Sequence, residues 1–428
     1  MTSLEGHSHR PFDRQDARTL GLAALGGALE FYDFVVFVFF TATLGKLFFP
    51  PGTAPWLAQL QVYGIFAAGY LARPLGGIVM AHFGDRGGRK RMFTLSVLLM
   101  AVPTLLIGLL PTYAQIGLLA PLLLLLLRIV QGIAVGGEVP GAWVFVAEHV
   151  PPRHVGFACA SLTAGLTAGI LVGSLLAAWI NTALTPEQVA GGGWRWPFLL
   201  GGAFGLFAVF LRRWLQETPV FVELRARRQL AEGLPVRQVL AGHAGAVVRS
   251  MLASWLLTAA IVVGVLLTPN LVQSSFGLPP ALAFQGGSVA TAALIFGCLA
   301  AGWAVDRHGV AATLLVGSLA LLAAIYALYL PLAGGDASGF IARYALVGFC
   351  TGVVGAVPAL MIAAFPPAVR FSGVSFSYNG AYALFGALTP PLVAYLSTHL
   401  GKVAPAHYVA VTCGVGVLVA LLSRQRAG

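Results

Sequence analysis

Two carboxylates, Glu30 and Asp33, sit three residues apart inside an apolar stretch. In a helix that spacing puts both on one face. Such a face is too costly for lipid, so it must point toward protein or a water-filled path. A second stretch, Leu118 to Leu127, is apolar until Arg128, and Gln131, Glu138, Pro140 and Glu148 follow. If the first stretch ends on the outer side near Thr41, Asp33 lies ~12 Å below that end, and Arg128 lies ~15 Å down its own stretch. The two could meet at one level. Breaking such a contact lets a carboxylate change its protonation, which is the chemistry of a proton-coupled switch. A permanent ion pair tying two helices together is the other reading.

Further polar residues interrupt apolar stretches. Glu30 is a second candidate proton carrier. Glu138 and Arg73 fall ~30 Å and ~25 Å down their stretches, close enough in depth to pair as an inner gate or a structural tie. Arg343 lies near an outer end, where it either snorkels to the interface or attracts an anion. The segment opening at Arg370 carries Ser372, Ser375, Ser377, Tyr378, Asn379 and Tyr382. Helix-to-helix hydrogen bonds explain this polarity as well as substrate contact does. Candidate substrate contacts are therefore Arg128, Tyr32, Gln131, Arg343, Tyr378, Asn379 and Tyr382. A basic turn, Gly84 to Arg91, offers Asp85, Arg86 and Arg89 to Glu148 and Glu217 as a lock, and Asp306 and Arg307 echo that turn later in the chain.

The elements that position these groups follow from composition. Of 428 residues, 58% are hydrophobic and 9% charged, where soluble proteins carry about 25% charged. The chain therefore reads as an all-α polytopic membrane protein. Twelve apolar spans are readable at 20–41, 56–82, 92–111, 117–148, 155–183, 195–215, 249–273, 281–305, 311–332, 338–365, 371–398 and 406–423. Most of the 25 Lys and Arg fall in loops on one side once both termini are placed inside. That bias sets the orientation and explains the net charge of +11 without a nucleic-acid partner. The four cysteines lie in apolar spans with no metal-ligand spacing. No removable signal peptide is expected.

An Arg-rich connection splits the chain. The expected parts are an inner segment 1–19, a six-helix half 20–215, a basic linker 216–248, a second half 249–423 and an inner tail 424–428. Part of the linker could lie on the membrane as an amphipathic helix. The halves repeat: Arg128 precedes Pro151-Pro152 at the spacing by which Arg343 precedes Pro366-Pro367, and Asp306-Arg307-His308-Gly309 echoes the turn at 84–91. Duplicated halves suit alternating access around a midplane site.

These residues also carry a family resemblance over about 20–425. Gly84-Asp85-Arg86-Gly87-Gly88-Arg89-Lys90-Arg91 resembles the signature loop of the major facilitator superfamily. Leu29-Glu30-Phe31-Tyr32-Asp33-Phe34, Arg73-Pro74-Leu75-Gly76-Gly77, Arg128-Ile129-Val130-Gln131-Gly132 and Ser377-Tyr378-Asn379-Gly380 resemble its metabolite:proton symporters. The resemblance implies proton-driven uptake of citrate, tricarballylate, 2-oxoglutarate, shikimate, or the zwitterions proline and betaine. It also implies the coupling role that a paired Asp and Arg fill in related proton–sugar symporters, at Asp33 and Arg128. Two departures are visible. Asp306-Arg307-His308-Gly309 lacks basic residues after its glycine, so a weaker second lock is expected. The chain ends at Gly428 without the coiled-coil tail of osmosensing members, which sets the expectation against an osmoregulated betaine carrier.

The expected function is a secondary active transporter: a proton symporter of a small organic acid such as a di- or tricarboxylate. The alternative is a carrier of a zwitterionic osmolyte, or an exporter of the same fold. No cofactor or metal is expected beyond the proton gradient, and no enzyme activity. The expected partners are the substrate, protons and the lipid bilayer. The expected form is a monomer in the bacterial inner membrane with both termini cytoplasmic.

Overall fold

An apolar stretch crossing a bilayer must satisfy its own backbone N–H and C=O groups, and a helix does so within one segment. The computed structural model describes residues 12–53, 55–212, 214–227, 229 and 234–424, with the side chains of some helical residues, Glu30 among them, outside that set. Among the described residues, twelve long helices follow one another. They are α1 (Arg14–Phe39), α2 (Pro55–Gly87), α3 (Arg89–Leu109), α4 (Leu119–His149), α5 (Val155–Ala183) and α6 (Arg195–Arg212), then α7 (Ala244–Phe276), α8 (Pro280–His308), α9 (Val310–Ala333) and α10 (Phe340–Ala364). The last two are α11, which runs from Arg370–Ala381 through Tyr382–Gly386 into Ala387–His399, and α12 (Ala404–Arg424). Eight of these are long and apolar enough to cross on composition alone, and α6 joins them when taken with the bent turn before it. The other three, α1, α2 and α11, hold Asp33, Arg73 and Asn379.

Two boundaries differ from expectation. α1 starts at Arg14, ahead of the apolar run, because the run's polar flank continues the helix with Asp16 in its first turn, favourably placed for the helix dipole. α7 starts at Ala244, ahead of Arg249. The basic linker holds two short helices, Pro219–Ala226 and Pro235–Gly242, each with proline in its first turn.

The duplication is visible in backbone detail. Gly88 (φ 116°) reverses the chain between α2 and α3, and Gly309 (φ 84°) does so between α8 and α9. Only glycine takes such angles without strain. A Cβ on Gly132 of α4 would strike the backbone of α2 at Gly69, and one on Gly348 of α10 would strike α8 at Ala290. Small residues thus bring equivalent helix pairs into backbone contact, where van der Waals packing holds membrane helices together.

The main apolar core runs across both halves, through Ala142, Trp143, Phe145, Leu256, Met361, Phe365 and Phe371. A second core, with Tyr32, Phe37, Phe40, Ile107, Trp194 and Phe198, belongs to the first half alone. Among the described residues, the halves therefore share their core at the end bearing the basic loops, here called the basic end. The first half keeps a separate core toward the far end.

Candidate functional site

Asp33 is 1% exposed on α1. Its carboxylate lies against α6: a Cβ on Gly205 would sit 3.6 Å from Asp33 Oδ2, and one on Gly201 would overlap Oδ1. Thr104 on α3 neighbours the same carboxylate, while its hydroxyl donates to the Met100 carbonyl at 2.9 Å. Thr104 Oγ1 accepts a hydrogen bond from Gln131 Nε2 at 2.7 Å, and Gln131 Oε1 accepts from Arg128 Nη1 at 2.8 Å. Arg128 is fully buried, its guanidinium 4.2 Å from the Phe37 ring centroid.

This corrects the expected direct contact. Among the described residues no ion pair joins Asp33 to Arg128; Arg128 bonds Gln131, and Gln131 bonds Thr104 near Asp33. The depth estimate did not fix which way each helix turns its side chain, and α1 turns Asp33 toward α6. Asp33 Oδ1 has no hydrogen-bond partner among the described residues. The side chain of Glu30, the second candidate carrier, lies outside the described residues.

Arg73 does not pair with Glu138. Glu138 Oε1 lies 2.6 Å from Arg212 Nη2, both residues 1% exposed, and Ser96 also bonds the carboxylate. Arg212 further bonds the Phe93 carbonyl. This is a tie within the first half, not an inner gate. In the sequence Arg212 looked like one more basic residue at an inner loop.

Arg73 instead lies among aromatic rings, 5.3 Å from the Tyr70 centroid, 5.4 Å from Tyr378 and 4.5 Å from Tyr382. Tyr378 packs edge-on against Trp143 at 5.0 Å and touches Tyr382 at 4.6 Å. Asn379 Nδ2 donates to the Gly136 carbonyl at 2.7 Å, joining α11 to α4. Tyr32 donates its hydroxyl to the Pro197 carbonyl at 3.0 Å, so this candidate substrate contact ties α1 to α6. Arg343 lies away from this centre. Its Nη2 meets Asp336 Oδ2 at 2.7 Å in the loop before α10, and it is 26% exposed. Hydrogen bonds from Ser338, then Arg343, hold the Asp336 carboxyl down at about 2. That pair stays ionised near neutral pH, so the snorkelling alternative is the one seen.

At the basic end Asp85, Arg89, Glu148 and Glu217 come together. Arg89 reaches Asp85 at 3.3 Å and Glu148 at 3.1 Å. Glu217 accepts from the backbone N–H of Arg89 at 3.0 Å, and Glu148 also accepts from Thr218 Oγ1 at 2.8 Å. Further contacts cross the seam at this end. Arg370 Nη1 meets Glu148 at 3.2 Å, Arg89 Nη2 donates to the Pro367 carbonyl at 2.8 Å, the Ser372 N–H donates to Asp85 at 2.9 Å, and the Gly156 N–H donates to Asp306 at 2.7 Å. Asp306 also accepts from the Phe157 N–H at 2.9 Å. Asp85 thus binds the start of α11 as Asp306 binds the start of α5, each using helix N–H groups that have no partner within the helix. Arg86 is exposed. Arg307 stacks 5.3 Å from the Trp303 centroid instead of joining the lock. The second lock relies on backbone donors, which explains how it forms without the basic residues its loop lacks.

The geometry is that of two six-helix bodies clasped at one end, with a buried polar thread in the first. A family model described as Major Facilitator Superfamily matches residues 23–390. The chain belongs to the major facilitator superfamily. It is similar to the proline/betaine transporter of Salmonella typhimurium (strain LT2), 32% identical, with 96% of this chain and 84% of the relative covered. It is also similar to the inner membrane metabolite transport protein YhjE of Escherichia coli (strain K12), 33% identical, with 95% and 94% covered. Among solved structures, the proton:xylose symporter XylE bound to 6-bromo-6-deoxy-D-glucose aligns with TM-score 0.79 at 16% identity, covering 96% of this chain and 95% of that one. That likeness establishes the fold. The protein is a multi-pass membrane transporter and not an enzyme.

Proposed function

We propose that this superfamily member takes up a small zwitterionic osmolyte of the proline or betaine kind together with protons. The observation that carries the coupling is the buried Asp33 carboxylate, set beside a Thr104–Gln131–Arg128 hydrogen-bond chain. A permanent Asp33–Arg128 ion pair would lock two helices. A carboxylate that is not paired with its neighbouring cation can change protonation, and the charge change is felt by the polar chain beside it. Asp33 carries the proton, and Arg128 senses it.

The substrate class rests on the aromatic rings of Tyr70, Tyr378 and Tyr382 around Arg73. The cationic pair expected to hold a di- or tricarboxylate was Arg128 and Arg343. Arg343 is neutralised by Asp336 away from the centre. A zwitterion needs one anchor for its carboxylate and aromatic faces for its ammonium. The Salmonella relative's name supports the same class.

The basic end faces the cytoplasm, as the Lys and Arg bias favours. The chain ends, residues 1–11 and 425–428, lie outside the described residues; this reading puts them on the cytoplasmic side of a bacterial inner membrane, with the protein working as a monomer. The clasped basic end then corresponds to a state closed toward the cytoplasm. The test is uptake by proteoliposomes containing the purified protein. An inside-alkaline gradient drives accumulation of labelled betaine or proline, and a protonophore abolishes it. Gradient-driven uptake of citrate or succinate, with none of betaine or proline, overturns the substrate assignment.

A further inference from the structure

Arg73 is 2% exposed, on a helix that crosses the membrane. No ion pair joins it to a carboxylate among the described residues. Its Nε and Nη2 atoms are buried and have no hydrogen-bond partner there. These two nitrogens share one edge of the guanidinium, the edge whose parallel N–H bonds match both oxygens of a carboxylate. Leaving two such donors unmet inside a protein is costly, so the edge needs a reason to be empty. The face of the same group is held by Tyr70 from its own half and by Tyr378 and Tyr382 from the other. Tyrosine rings in this arrangement bind cations through their faces, quaternary ammonium groups among them.

We propose that Arg73 anchors the substrate carboxylate through its Nε and Nη2 edge, and that Tyr70, Tyr378 and Tyr382 receive the substrate's ammonium. This rests on the zwitterion reading above. Without substrate, the guanidinium occupies the tyrosine faces. A bound carboxylate draws the guanidinium onto itself, and the rings take the ammonium in its place. The rings come from both halves, so the substrate bridges the seam where Arg73 bridged it before. Tyr70 also lies within electrostatic reach of both Arg73 and Arg128, which places the site beside the proton thread. Arg128 remains the proton partner, and substrate selection passes to Arg73.

Three ligands of similar shape separate the two contacts. Glycine betaine has both charges, choline has the cation without the carboxylate, and 3,3-dimethylbutyrate has the carboxylate without the cation. Equilibrium binding is measured on the purified full chain, by competition against labelled betaine or directly where that label no longer binds. Wild type prefers betaine to both others. Arg73→Gln and Arg73→Lys lose the preference for betaine over choline, with betaine weakened roughly 10- to 100-fold, while choline changes little. Tyr382→Leu loses the preference for betaine over 3,3-dimethylbutyrate instead. General damage to the fold would weaken all three ligands together, and a variant doing so while its thermal midpoint falls counts against a specific anchor. Betaine binding in wild type with its preference over choline intact in both Arg73 variants overturns the anchor and leaves the zwitterion reading standing. Wild type binding succinate but neither betaine nor proline overturns the zwitterion reading, and this proposal with it.

Discussion

Arg370 and Glu148 meet across the seam, Arg370 Nη1 lying 3.2 Å from Glu148 Oε1, each on a helix from a different half. Glu148 also holds Arg89 and Thr218, so one carboxylate organises the clasp. Each charge-assisted bond contributes about 1.5–3 kcal/mol. A few such bonds hold one end closed and still allow it to open.

Removing that carboxylate should open the basic end. Glu148→Gln leaves Arg89 and Arg370 without their shared partner, a loss of ~3–5 kcal/mol when a buried pair is broken. A cysteine placed at Ser375, beside the Gly136 carbonyl, should then react faster with a membrane-impermeant thiol reagent applied from the basic side. Unchanged labelling would show that Glu148 does not hold the clasp.

Gly201→Ala should disable coupling. Its new methyl would overlap Asp33 Oδ1, forcing the carboxylate away from Thr104. Uphill uptake should fall at least tenfold, about 1.4 kcal/mol or more. Gly380→Ala, whose methyl would meet only Met251 at 3.6 Å, should be nearly silent in the same uptake assay.

The Glu138–Arg212 pair predicts a non-additive result. Either Glu138→Gln or Arg212→Met alone leaves a buried charge uncompensated, at ~3–5 kcal/mol. The double variant removes both charges and should regain most of the thermal stability and transport. A double variant as damaged as either single would assign the pair a transport role.

Arg343→Ala should change substrate affinity less than about twofold, because an exposed pair contributes little. The sign of any pH effect follows from Asp336. Its carboxyl is held low in the folded protein, so the pair's contribution is present above the ordinary carboxylate range and is lost only as pH falls toward about 2. Affinity measured between pH 5 and 8 should show no titration assignable to this pair. A large loss of affinity on substitution would return Arg343 to the substrate path.

The fold was legible because apolar length and basic loops report directly on membrane crossing. The contacts at the basic end were legible too: Asp85, Arg89, Glu148 and Glu217 fall at span ends, where depth alone brings them together. Depth alone failed deeper in the membrane. Arg73 and Glu138 share a level on paper, yet their helices face different neighbours, and Arg212 takes the carboxylate. Asp33 and Arg128 are likewise near in depth, but the rotation of α1 turns the carboxylate to Gly201. Thr104 is a small polar residue in an apolar run, and nothing in its spacing announces that it accepts from Gln131 beside Asp33. The aromatic surroundings of Arg73 come from two halves far apart in sequence, so no local pattern could show them.

The most direct test of proton coupling compares Asp33→Asn with wild type in proteoliposomes, measuring both gradient-driven accumulation and exchange of labelled for unlabelled betaine. Asp33→Asn should lose accumulation and its accompanying proton influx while still exchanging substrate. Full, proton-driven accumulation by Asp33→Asn would contradict the assignment of Asp33 as the proton carrier.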